Sequence, residues 1–366
     1  MFSLSLCMIV KDEEDVIDRV LTCSNRFADE IIIVDTGSKD KTKEICKNFT
    51  DKIYDFVWCD NFSLARNFSF SKATKEYIMW LDADDYITEQ NIQKIIALKN
   101  SNDQADVYMF KYVMGFVDGT PTFEFFRERI VKNNSGFEWS GFVHEAITPH
   151  GKIKYQNIEI EHRKQKVGNY MRNLNLYRKA QKSGIKFTPR EQYYYSRELY
   201  YNGYYKKAIK ELKKYFCLND KFTPNIVGAY LIIAECYFVL HDYQNSQKYI
   251  FESIKKFLPN AETCCMTAKI FESLHDKFQA ILWYNIALIT PKDSSGFVQK
   301  DFYDYIPYLE LCRLYYPLNF EKSQKYFLMA KKLKPDSAEV RHNSKFFKRQ
   351  NNQKWYWLTT SLYVKI

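Results

Sequence analysis

Asp82-Ala83-Asp84 is the segment of this sequence best equipped for chemistry. In extended backbone, residues two apart point to the same side, so the two carboxylates converge. A converging pair of hard oxygen ligands suits Mg2+ or Mn2+. Such an ion can bridge a diphosphate and neutralise its charge as it leaves. An Asp-x-Asp alone is a common surface turn. Here it closes an apolar run at residues 76–81, EYIMWL, that reads as a buried strand. Asp35 stands likewise at the end of a β-branched run, EIIIV at 30–34. A carboxylate there can accept hydrogen bonds from a ribose hydroxyl or a base N–H.

The elements that must carry these residues alternate over the first hundred positions. Strand-like runs lie at 5–10, 30–34, 52–58 and 76–81, and helical spacing at 15–27, 40–49, 63–74 and 88–99. Near-continuous apolar strands separated by amphipathic helices specify a mainly parallel sheet covered on both faces. Ligands of such α/β sheets bind outside the carboxyl ends of the strands, where Asp35 and Asp82 fall. Residues 107–113, 128–131 and 152–161 are strand-like but irregular, and are expected to add mixed or antiparallel strands at one edge. From 169 onward the chain reads as helical. Gly203-Tyr-Tyr-Lys-Lys-Ala208, His241-Asp-Tyr243, His275-Asp-Lys-Phe278 and Leu318-Asn-Phe320 each join two amphipathic helices at close to the 34-residue tetratricopeptide period. The small residue expected after the aromatic falls on Ala208, Ser246, Ile281 and Ser323, a degenerate match. The division expected is an α/β domain over 1–186 and an all-α repeat domain over 187–366, and repeats of this kind bury their apolar faces only by stacking.

Three further segments accompany the acidic run. They are Met8-Ile-Val-Lys-Asp-Glu-Glu14, Val34-Asp-Thr-Gly-Ser-Lys-Asp-Lys-Thr42 and Asn61-Phe-Ser-Leu-Ala-Arg-Asn67. In order and spacing, the four blocks together resemble the family 2 glycosyltransferases of the GT-A fold. The likeness is to the branch with a tetratricopeptide tail, similar to the sublancin-type peptide S-glycosyltransferases. It is strong over residues 1–100 and looser beyond. The resemblance implies a Rossmann-like GT-A catalytic domain and an inverting transfer from a UDP-sugar. It places Lys11 and Glu13 near the nucleoside, Asp35 on the base or ribose with Ser38 beside it, and Arg66 against the nucleotide or diphosphate. Asp82 and Ala83 line the nucleotide sugar, and Asp82 and Asp84 hold the metal, Mn2+ or Mg2+. The physical reading agrees, since a planar guanidinium pairs well with anionic oxygens. Ser38 also stands where it can cap the following helix.

The acceptor half is marked by Phe137-Glu-Trp-Ser-Gly-Phe-Val-His-Glu145, which concentrates ionisable and aromatic groups. An inverting enzyme needs a base to deprotonate its acceptor, and Glu138, His144 and Glu145 are the candidates. A thiol acceptor asks less of that base, because thiols ionise more readily than alcohols. His162 ends a strand-like run. In the related branch a late histidine completes the metal shell, and imidazole is a workable Mn2+ ligand. The basic stretch Arg163-Lys-Gln-Lys166, with Arg172-Asn173, can fold over a diphosphate or serve as a solvated junction.

Composition narrows the partners. The net charge of +10 comes without an arginine-rich run, zinc-finger spacing or aromatic RNA-binding signature, so no nucleic-acid partner is expected. Nine cysteines without a C-x-x-C read as thiols of a reduced, cytoplasmic protein. The apolar start has no basic residue before it and reads as a first strand, not a signal peptide. No segment has the apolar length of a transmembrane helix. The expected reaction moves glucose or N-acetylglucosamine from UDP to a Ser, Thr or Cys side chain of a peptide or protein, since repeats of this kind bind peptides. The competing expectations are a saccharide or lipid-linked acceptor of envelope biosynthesis and a catalytically dead repeat scaffold. Stacked repeats also offer a surface for a homodimer.

Overall fold

The computed structural model describes residues 1–101, 104–117, 120–163, 171–291 and 298–348. The basic positions 164–166 of the sequence reading lie outside these. The chain forms two compact units, Met1–Ile185 and Lys186–Ile366.

The first unit opens with β1 (Leu4–Val10), α1 (Ile17–Ser24), β2 (Glu30–Asp35), α2 (Thr42–Cys46), β3 (Ile53–Asp55), α3 (Phe62–Phe70) and β4 (Tyr77–Trp80). It continues through β5 (Asp85–Tyr86), α4 (Glu89–Asn100), β6 (Val107–Val117), β7 (Thr120–Lys132), the small pair β8 (Trp139–Ser140) and β9 (Ala146–Ile147), β10 (Ile153–His162) and α5 (Arg172–Lys182). One sheet runs in the order β3-β2-β1-β4-β7-β6-β10-β5. The first four strands are parallel, and β7 turns the sheet antiparallel beyond β4. Alternation along the strands serves two cores. Leu6, Met8, Ile31, Ile33 and Met79 pack on one face, and Cys7, Ile32, Ile78, Trp80 and Val131 on the other. With both faces covered, these strands carry almost no polar positions, which explains their unbroken apolar runs.

Two local features place the site. Asn61 caps α3 by accepting from Leu64 N at 3.1 Å, which fixes where that helix starts below the sheet's carboxyl edge. The strand expected at 52–58 shortens to three residues at the sheet edge, and Val57 is exposed. At the far edge β5 pairs antiparallel with β10 in a register that sets His162 opposite Asp85.

The second unit is built of helices. They are α6 (Pro189–Tyr201), α7 (Tyr205–Tyr215), α8 (Thr223–Val239), α9 (Tyr243–Ile254), α10 (Ala261–Ser273), α11 (Lys277–Ile289), α12 (Tyr305–Tyr315), α13 (Phe320–Leu333) and α14 (Ala338–Lys348). The turns within the hairpins α6–α7, α8–α9 and α10–α11 share one device. Gly203, His241 and His275 take positive φ after the first helix. In the second and third, Asp242 and Asp276 then cap the next helix. The sequence register was off by one in the third hairpin. Lys277, not Phe278, opens α11, so the small residue is Ala280 and not Ile281. Ala208, Ser246, Ala280 and Ser323 are all fully buried, and the Ser246 and Ser323 hydroxyls donate to Ala234 O at 2.8 Å and Cys312 O at 2.7 Å on the preceding helices. The close approach thus demands a small side chain in all four hairpins. Tyr205, Tyr243, Lys277 and Phe320 open the second helices, so only the middle interval keeps the 34-residue period.

Candidate functional site

Arg66 stands at the centre of the carboxyl edge. It is buried on α3, where its Nη2 donates to Asp82 Oδ1 and its Nε to Glu145 Oε1, each at 2.7 Å. Its guanidinium lies 5.0 Å from the ring centre of Trp80 and 4.7 Å from that of Trp139. A planar cation can serve two carboxylates and two ring faces at once. Burial opposes the charge on Asp82, but Arg66 and Arg129 outweigh it and hold its carboxyl well below the usual range. The acidic run is therefore tied to the 137–145 segment through one side chain.

The rest of α3 anchors that segment. Asn67 Nδ2 donates to Trp139 O at 3.0 Å and its Oδ1 accepts from Trp139 N at 2.8 Å. Ser63 Oγ donates to Gly141 O, and Phe62 N to Phe142 O. Glu145 reaches Arg66 for this reason, with His144 beside it at a positive φ of 53°. Glu138 does not join them. It points to solvent between Phe137 and Trp139, whose buried rings alternate with it along the strand-like stretch.

Around Asp84, His162 Nδ1 lies 3.2 Å from Asp84 Oδ1, 3.6 Å from Asp85 Oδ1 and 2.9 Å from the Tyr112 hydroxyl. Burial works against a charged imidazole, but Asp84 and Asp85 prevail and raise its pKa to about 10. Beneath it, Asp85 and Arg129 form an ion pair at 2.9 Å with neither side chain exposed.

On the β1–β2 side, Asp35 is buried at the end of β2 and accepts from Gly37 N and Ser38 N, each at 3.1 Å. Gly37 has a φ of +104°, which a side chain would strain. Ser38 is not a helix cap. The helix begins four residues later at Thr42, and the Ser38 hydroxyl instead accepts from Asp12 N at 3.0 Å. Glu13 N donates to Thr42 Oγ1 at 2.7 Å. These bonds tie the loops after β1 and β2 to each other. Lys11 is exposed, and Ala83 is buried between the two aspartates.

Residues 5–143 match the model for glycosyl transferase family 2. The first unit contains a family 2 glycosyltransferase domain. A TPR repeat-containing protein of Synechococcus elongatus is 37% identical over 110 residues, covering 30% of this chain and 27% of that one. The SPbeta prophage-derived glycosyltransferase SunS of Bacillus subtilis is 39% identical over 82 residues, 21% of this chain and 19% of that one. The chain thus spans about a quarter and a fifth of the length of these relatives. A crystal structure of S. aureus TarS 1-349 aligns over 92% of this chain and 93% of that one at 12% identity, with a TM-score of 0.34, a likeness too slight to argue from.

Within this glycosyltransferase domain the donor groups fit a hard divalent ion. One ligand atom from each of Asp82, Asp85 and His162 lies within 4.8 Å of the other two. Asp85, however, has no exposed surface. Its Oδ2 accepts from Arg129 Nη1 at 2.9 Å and Asp82 N at 3.1 Å, and its Oδ1 from Tyr112 at 2.9 Å. Asp82, Asp84 and His162 keep about a quarter of their side chains open, so they are the groups free to meet an ion. Oxygen donors with one imidazole suit Mn2+ or Mg2+.

Sequence reasoning missed Asp85, Tyr112, Trp80, Arg127 and Arg129. Arg127 and Arg129 stand over the Trp80 ring at 4.9 Å and 3.8 Å. One signal was present. Two arginines two apart in the otherwise strand-like RERIV place both on one face of β7.

Proposed function

We propose that this chain moves a sugar from a nucleoside diphosphate donor, UDP-glucose or UDP-N-acetylglucosamine, to a Ser, Thr or Cys side chain of a polypeptide. The observation that carries the reading is the Arg66 bridge, which binds the acidic run to the acceptor segment in one buried group. Asp35 would receive the nucleoside, with Lys11, Glu13 and Ser38 in the adjoining loops. Asp82, Asp84 and His162 would hold the divalent cation, which when bound supplies positive charge to the departing diphosphate. Arg66 adds fixed positive charge beside it.

Glu145 is assigned as the proton acceptor in preference to His144. Its Oε1 is engaged by Arg66, which orients the carboxylate and leaves Oε2 for the acceptor's proton. A thiol acceptor would need little help from it, a hydroxyl far more.

A donor-hydrolysis screen over several nucleotide sugars with Mn2+ tests activity and donor together. Asp84→Ala should abolish hydrolysis and transfer while the melting transition persists. Glu145→Gln should cut transfer to a hydroxyl acceptor by about 100-fold or more, in keeping with general-base contributions. Full activity after removal of divalent metal would sink the metal assignment. Failure to bind UDP with Mn2+ in a calorimetric titration would favour a catalytically dead scaffold.

A further inference from the structure

The second helices of the four hairpins, α7, α9, α11 and α13, lie side by side. Phe216, which ends α7, stacks with Tyr249 of α9 at 6.4 Å between ring centres. Phe251 of α9 meets Trp283 of α11 edge-on at 6.2 Å. The Tyr326 hydroxyl of α13 donates to Asn285 Oδ1 of α11 at 3.1 Å. Their outward sides therefore form one surface of the helical unit, with α11 between α9 and α13.

Three of these helices make that surface basic. All five lysines of α7, from Lys206 to Lys214, are exposed, as are Lys248 of α9 and all four lysines of α13, from Lys322 to Lys332. The acids on the same helices are Glu211, which is buried, Glu252 and Glu321. α11 differs. Its sequence, KFQAILWYNIALI, is apolar nearly all round, a composition suited to a fully covered helix. Yet Phe278 and Ile289 are each 81% exposed and Leu282 is 50% exposed. With Asn285 these positions follow one another at helical spacing and form a single outward stripe.

An exposed apolar patch rimmed by charge marks contact with a protein or a membrane. The charge selects the occupant. A second copy seated on the same face would set lysine against lysine, and like charges repel. None of the four helices carries arginine, the residue suited to bidentate phosphate recognition in nucleic acid. Leu282 and Ile289 would also find no apolar partner on a sugar–phosphate backbone. An anionic bilayer answers both features. Lysines are drawn to its headgroups, and apolar side chains enter the boundary between headgroup and acyl chain.

We propose that this face is a membrane-surface site that docks the helical unit reversibly on anionic lipid. Phe278, Leu282 and Ile289 insert, and the lysines of the flanking helices meet the headgroups. Docking of this kind needs no membrane-spanning element, and no described helix is long and apolar enough to be one. The inference does not rest on the donor or the acceptor assigned above, because it concerns the helical unit alone.

The test is co-sedimentation of the full chain, without nucleotide or metal, with vesicles of phosphatidylglycerol and with vesicles of phosphatidylcholine. The chain should bind the first and not the second, and high salt should weaken the binding by screening the lysines. Phe278→Gln and Ile289→Gln should each weaken it about ten-fold, the loss of one inserted apolar side chain. Lys325→Gln should weaken it about five-fold, as expected for one lysine at an anionic surface. Glutamine is a good helix former, so the melting transition should stay in place and serves as the check on folding. A general polycation would also bind phosphatidylglycerol, but it would not lose affinity with Phe278 or Ile289. Unaltered binding by both of those variants would therefore overturn the proposal. So would equal binding to phosphatidylcholine, or no binding to phosphatidylglycerol. A dimer in light scattering that Phe278→Gln dissociates would assign the stripe to a second copy and overturn it as well.

Discussion

Arg66 joins two carboxylates and two indoles in a buried position. Lysine in its place would keep the charge but not the fork, because an ammonium is a point donor on a flexible stem. Arg66→Met would take from Asp82 and Glu145 the one guanidinium that bonds both, leaving only the charges of Arg129 and Arg127 nearby. Removing one member of a buried ion pair costs about 3–5 kcal/mol, and the partial exposure of Asp82 puts this case at the lower end. A chemical denaturation curve of the first unit measures it. Arg66→Lys should cost less stability yet weaken UDP binding about ten-fold, as expected for one lost charged hydrogen bond. A Lys variant with unaltered UDP affinity would show that the guanidinium serves Asp82 and Glu145 alone.

At the scale of elements, the helical unit carries its own pH dependence. Glu262 lies in the first turn of α10 with its carboxyl buried, and burial raises its pKa from 4.5 to about 7. The folded state therefore binds this proton more tightly than the unfolded chain does. Its contribution to stability is complete below about pH 4.5, declines as pH rises through 4.5 to 7, and is lost above that. Thermal melts should show the helical transition falling across that window, and Glu262→Gln should flatten it and raise the transition at pH 8. A Gln variant with the same slope would assign the dependence to other groups. The same scale explains what the sequence could tell. Strands buried on both faces leave an apolar run that needs no partner to be seen, so β1, β2 and β4 were legible. Asp35 and Asp82 were legible because they end such runs. Arg129 and Asp85 were not, because an arginine within a strand reads as a solvent-facing position until β7 is known to lie beside β4. Ser38 looked like a cap because only the paired loop, with Asp12 N in reach, shows what its hydroxyl accepts. The slip from Ala280 to Ile281 came from anchoring the repeat on Phe278, an aromatic that the structure leaves exposed.

At the scale of the whole molecule, each unit has buried cores of its own, so a cut at the junction should leave the first standing. The residues proposed for the nucleotide, the cation and the proton all lie within Met1–Ile185. Nothing in that chemistry requires the repeats. If the repeats take the polypeptide acceptor, truncation after Ile185 should leave donor hydrolysis intact and abolish transfer to polypeptide. Hydrolysis sends the sugar to water, so it reports the donor half without the acceptor half. Retention of both activities would remove the repeats from acceptor recognition. Transfer to a saccharide or lipid-linked acceptor by the truncated chain would identify the competing substrate class. Loss of both, with a melting transition still present, would show that the helical unit completes the catalytic site, and the division of labour argued from the Arg66 bridge would have to be abandoned.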